Sequence, residues 1–210
     1  MPVIKSSNVL SENWLSIARD KNTTTLQFRT ALENIGLILL SEVLNNIKGL
    51  TVTKNIATPL KKTKVKILNQ NKIFVIPILR AGLGMLHGVK NLIPEAHVAH
   101  VGLYRDESTL QPHWYLDKLP KKASKDSVFF IFEPMLATGG TITTVLKRIK
   151  SLGVKRIYVL SVIISESAKK LLEKKFPRVN FYVAGIDPEL NNHGYIVPGL
   201  GDAGDRAFNM

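Results

Sequence analysis

The stretch VFFIFEPMLATGGT, residues 128–141, decides how the rest of the chain is read. Residues 128–132 are apolar without interruption and end at an acid, Glu133. An unbroken apolar run of this length fits a strand buried on both faces. A turn of small residues follows, Ala137-Thr138-Gly139-Gly140-Thr141, and then a helical pattern over residues 142–152. Buried strand, glycine turn and helix start bring backbone N–H groups and the positive end of a helix together, which makes an anion site. A triphosphate-binding loop would carry Lys after its last glycine, whereas Thr141 stands here. Glu133 is misplaced for holding phosphate but well placed to accept hydrogen bonds from sugar hydroxyls. Cradle and acid together read as a ribose-phosphate site. Glycine turns of this kind are common and most bind nothing, so the other strand ends must be consulted.

Further apolar runs occupy residues 73–79, 100–104 and 157–164, with helical patterns at 25–47, 84–92 and 167–176. This alternation predicts an α/β fold, a mostly parallel sheet flanked by helices, forming a single domain over residues 1–210. In such sheets ligands sit beyond the carboxyl ends of the strands. Run 73–79 ends in Arg80-Ala81-Gly82, and run 100–104 ends in Arg105-Asp106-Glu107. One arginine at a strand end reads as a surface ion pair. Two of them beside an anion cradle predict a second phosphate group, a diphosphate.

Two stretches break the alternation. Residues 58–70 are rich in lysine with no clear period. Residues 105–122 are polar and hold Pro112, Trp114, Tyr115 and Pro120, a long excursion that reads as a hairpin, either a lid or a plain surface loop. The tail, NNHGYIVPGLGDAGDR at 191–206, is so rich in glycine that it would be disordered unless something holds it. Gly199, Gly201 and Gly204 have the spacing of a dinucleotide fingerprint, yet only six residues follow, which leaves no room for its helix.

Composition narrows the classes. The chain has 210 residues, 45% of them hydrophobic and 21% charged, which fits a globular fold with an ample core. Absence of cysteine excludes disulfides, thiolate metal sites and a cysteine nucleophile. The first residues lack the apolar stretch of a secretory signal, so the expected location is the cytoplasm, or the stroma of an organelle that makes the protein itself. The net charge of +13 comes from scattered lysine pairs and reads as solvated surface plus steering of a polyanionic small ligand.

Four segments then identify a resemblance: PILRAGLGM (77–85), GLYRDESTLQP (102–112), PMLATGG (134–140) and GYIVPGLGDAGDR (194–206). Together with RDKNTTTLQFR (19–29), and in this order, they closely resemble the uracil phosphoribosyltransferase family. The resemblance implies the type I phosphoribosyltransferase fold and transfer of phosphoribosyl from 5-phosphoribosyl diphosphate to uracil, a step of pyrimidine salvage. It implies that Glu133, Pro134, Met135, Leu136, Ala137, Thr138, Gly139, Gly140 and Thr141 bind the phosphoribosyl group. Arg80 and Arg105 would act on the diphosphate, with Asp202 near it and its Mg²⁺, a cofactor carried in by the substrate with no certain protein ligand. Ile196, Gly201, Asp202 and Ala203 would read uracil. No convincing general base stands out, and His193 is the candidate. A homodimer or homotetramer is the expected assembly, and GTP binding is a further property to test. The family generally carries Asp at the positions of Glu133 and His87. Two other readings stay open: a regulatory protein that binds RNA, and a transferase for another base. Neither a membrane nor a nucleic-acid partner is expected.

Overall fold

The computed structural model describes residues 3–105 and 112–210. Strand β1 (Ile4–Lys5) leads into helices α1 (Val9–Arg19) and α2 (Thr25–Asn46). Strands β2 (Thr51–Ala57) and β3 (Lys62–Leu68) form a separate ribbon. Then come β4 (Ile73–Leu79), α3 (Leu86–Leu92), β5 (His97–Val98), β6 (Val101–Arg105) and β7 (Pro112–Asp117). Next are β8 (Val128–Phe132), β9 (Met135–Leu136), α4 (Gly140–Lys150), β10 (Arg156–Ser165) and α5 (Glu166–Lys175). The chain closes with β11 (Asn180–Asp187), β12 (Glu189–Leu190), β13 (Ile196–Val197) and α6 (Ala203–Phe208).

Among the described residues nine strands build one sheet in the order β1-β11-β10-β8-β4-β6-β7, with β5 beside β4 and β9 beside β10. All pairs are parallel except β6 with β7. The parallel strands are apolar throughout because both faces are covered: every residue of β8 is buried. On one face α1, α2, α3 and α6 pack through Leu15, Phe28, Leu32, Ile35, Leu39, Val89 and Ala207. On the other, α4 and α5 contribute Ile142, Val145, Leu146, Ile149, Ala168 and Leu172. At roughly 2 kcal/mol per buried aliphatic side chain, these two layers are the main force holding the cradle's strand and helix together.

Three expectations shift. The stretch 58–70 contains all of β3, whose exposed Lys62, Lys64 and Lys66 alternate with half-buried Thr63, Val65 and Ile67 along a ribbon that meets the core only at Leu68, which leaves a weak apolar period. The helix expected at 84–92 begins instead as a tight 3-10 turn, Ala81–Met85, because the backbone must curl under the end of β8. A helix does form in the tail: α6 is short, but Asp202 caps it, its Oδ1 accepting from the Asp205 N–H at 2.9 Å. Among the described residues no helix is long and apolar enough to cross a membrane.

Candidate active site

The site lies along the carboxyl ends of β4, β6 and β8. After Phe132 the chain leaves the sheet, and the Glu133 N–H still donates to Leu160 O at 3.2 Å. The Pro134 carbonyl accepts from Val162 N and Ile163 N, both at 3.0 Å, and from the buried Ser161 hydroxyl at 3.1 Å. Ser165 grips the next carbonyl in the cradle: its Oγ donates to Ala137 O at 2.6 Å while accepting from Ala168 N at 3.0 Å as the cap of α5. The turn is thus nailed to β10 by the Pro134 and Ala137 carbonyls. Gly139 adopts φ 76°, a left-handed conformation that L side chains rarely take, and this reversal starts α4 at Gly140. A cavity of about 130 Å³ results, walled by Glu133, Met135, Leu136, Ala137, Thr138, Gly139, Gly140, Thr141 and Ile142.

Glu133 is the unusual member of that wall. Its Oε2 is buried and has no hydrogen-bond partner among the described residues. Burial pushes its pKa from 4.5 up to about 8.

Beside the cradle the turn after β4 is pressed against the same strand end. A Cβ on Gly82 would stand 2.5 Å from Phe132 O, so only glycine permits that approach. Arg80 leads this turn with its side chain 54% exposed, and its Nη2 lies 3.2 Å from Asp205 Oδ1 in the tail. Arg105 ends β6, and its side chain lies outside the described residues, as does the stretch 106–111 between β6 and β7.

The tail is ordered because two arginines, Arg19 near the start of the chain and Arg206 within the tail, tie it to the first helices. Arg19 forms a two-pronged pair with Asp187, at 2.9 and 2.5 Å, and donates to Gly199 O at 2.7 Å. Asp187 in turn accepts from the Gly199 N–H at 3.0 Å. Arg206 of α6 donates to Ala18 O, Leu200 O and Asp20 O, and its guanidinium sits 4.2 Å over the Phe28 ring. These contacts frame a second cavity of about 330 Å³, lined by Met135, Ala137, His193, Gly194, Tyr195, Ile196 and Asp202.

Of the expected tail residues, Ile196 and Asp202 therefore stand in the cavity wall. Gly201 precedes Asp202 in the left-handed conformation, and Ala203 is fully buried behind it in the core. Pro134 is likewise buried behind the cradle wall, its carbonyl spent on β10. Met135 and Ala137 belong to both cavities, so the two sites adjoin. Sequence reading missed Tyr195, Asp205, Ser161 and Ser165. A serine closing an apolar run just before a helical pattern is a capping signal, and Ser165 could have been found by it.

The uracil phosphoribosyltransferase family model matches residues 5–210. This chain belongs to the uracil phosphoribosyltransferase family. A uracil phosphoribosyltransferase of Clostridium perfringens strain SM101 is 46% identical over 194 residues, spanning 92% of this chain and 91% of its own. One from Clostridium botulinum strain Eklund 17B is 44% identical, spanning 98% and 97%. The solved structure of the AQ2163 protein from Aquifex aeolicus shares the fold at a TM-score of 0.92 and 34% identity, covering 99% of this chain and 98% of that one.

Proposed function

We propose that this chain transfers the phosphoribosyl group of 5-phosphoribosyl diphosphate to uracil, giving UMP and diphosphate. The observation that carries this reading is the wall shared by the cradle and the tail cavity, Met135 and Ala137. A 5-phosphate seated on the cradle N–H groups and a base in the tail cavity would hold the sugar between them, over Glu133. In the reaction, uracil N1 bonds to the anomeric carbon as the bond to the diphosphate oxygen breaks, and N1 loses its proton. The sugar becomes cationic while negative charge gathers on the leaving diphosphate. Fixed cations there act more strongly on the transition state than on the ground state. Arg80, half-exposed beside the cradle, would take that role, and we assign Arg105 to it as well.

The oxygen donors near Arg80 are Asp202 and Asp205, and no group of three acids or histidines gathers among the described residues. That donor set fits Mg²⁺, which keeps few protein ligands when phosphates supply the rest. Asp202 would hold the ion, which when bound neutralises the leaving diphosphate. Tyr195 and Ile196 would flank the base, with backbone groups near Ile196 and Gly201 reading its edge. Self-association belongs to the same proposal, supported by the exposed Val52, Ile56 and Leu60 on a two-stranded ribbon too small to be stable alone. Sedimentation analysis reads it out, and a monomer at all concentrations contradicts it. The transfer itself is tested by mixing protein, Mg²⁺, uracil and 5-phosphoribosyl diphosphate. UMP and diphosphate should appear in equal amounts, and diphosphate without UMP would refute the reading.

A further inference from the structure

Glu133 lies in a setting that does not suit a carboxylate. It is the one ionisable side chain lining the cradle, and its buried Oε2 meets no donor among the described residues. Among the described residues the groups on neighbouring elements give it no counter-ion. Arg80 pairs with Asp205, and Asp202 turns its Oδ1 to the Asp205 N–H. His193 and Tyr195 are exposed on the far side of the shared wall. The facing stretch of β10, residues 161–165, holds no ionisable side chain, and the first on α4 is Lys147. An ion there would be buried and unpaired, which is costly. The substrate makes matters worse, since it brings a 5-phosphate and a diphosphate, both anionic, to either side of this acid.

We propose that Glu133 works as a neutral carboxylic acid, donating one hydrogen bond and accepting another at the ribose hydroxyls, and that its ionisation expels the phosphoribosyl donor. This rests on the phosphoribosyl reading of the cradle. It also reverses the simplest expectation from sequence, in which an acid at this place accepts from the sugar as an anion. The direction of the pKa agrees: burial raises it to about 8, so the acid form prevails at neutral pH and the anion only above that value. Glutamine has the same shape and the same donor and acceptor pair as the neutral acid, and it cannot ionise.

The test is calorimetric titration of 5-phosphoribosyl diphosphate with Mg²⁺ into the wild type and Glu133→Gln, from about pH 7 to about pH 9.5. The donor's own phosphate ionisation, ordinarily near 6, is complete across most of this window. Wild-type affinity should fall above about pH 8, approaching tenfold per pH unit. Glu133→Gln should bind within about threefold of wild type at pH 7 and show a flat profile, since its neutral amide replaces the acid. A flat wild-type profile, or a hundredfold loss in Glu133→Gln at pH 7, would overturn the proposal and leave the phosphoribosyl reading intact. Failure of the wild type to bind the donor at any pH would overturn both. If Glu133→Gln does not fold, the wild-type profile decides alone.

Discussion

The phosphate cradle and the tail cavity share Met135 and Ala137, yet they are built in opposite ways. The cradle is local: a strand, a turn and a helix contiguous in sequence, fixed by backbone hydrogen bonds to the next strand. The tail is long-range: α6 and the loop before it hang on Arg19 and Arg206, through contacts that join residues more than 160 positions apart. Damage to one should therefore leave the other standing. On the proposed reading the phosphoribosyl group would be captured without the tail, whereas base selection would depend on a segment with little structure of its own.

The largest effect should come from deleting residues 201–210. Asp202, α6 and the Arg206 anchor go together, so UMP formation should fall below detection while calorimetric affinity for the phosphoribosyl donor stays within about tenfold, because its cradle is untouched. Loss of both together would mean that the two regions form one unit.

Arg80→Ala removes the cation between them. Turnover should fall about a hundredfold or more, about 3 kcal/mol, with little change in uracil affinity, as expected for a group acting on leaving-group charge. A near-normal rate would leave Arg80 as a surface partner of Asp205.

Gly139→Ala strains the cradle alone. An L residue at this φ costs about 1–2 kcal/mol, so donor affinity should drop roughly tenfold while uracil binding measured with saturating donor holds. Ser165→Ala is smaller still. It loses the helix cap and the bond to Ala137 O, about 1 kcal/mol, and melting should fall by about 3 °C. An unchanged melt would show that the turn is held without β10.

The same contrast explains what could be read without coordinates. Val128 to Thr141 declares itself because the apolar run, the acid and the glycines follow one another, and a parallel sheet then fixes which end of it faces ligand. Arg80 was legible by the strand-end rule for the same reason. The tail was legible as glycine-rich and in need of an anchor, but nothing in its own residues names Arg19, Asp187 or Phe28 as that anchor. Asp205 escaped notice because its partner, Arg80, lies 125 positions away. The β2–β3 ribbon was missed because β2 is exposed throughout and β3 is only half-buried on one face, which leaves no strong apolar period. The protonation state of Glu133 follows from burial, which sequence does not report.

Base discrimination tests most directly the claim that the cradle binds phosphoribosyl while the tail reads uracil. With 5-phosphoribosyl diphosphate and Mg²⁺ fixed, nucleotide formation is measured with uracil, cytosine, orotate and hypoxanthine. A backbone N–H aimed at O4 and a carbonyl aimed at the N3 proton would each meet the wrong partner in cytosine, and a mismatched buried pair can discriminate by roughly 10⁴-fold. Uracil alone should give nucleotide at an appreciable rate. Comparable rates with cytosine, or a preference for orotate or hypoxanthine, would contradict base reading by the tail.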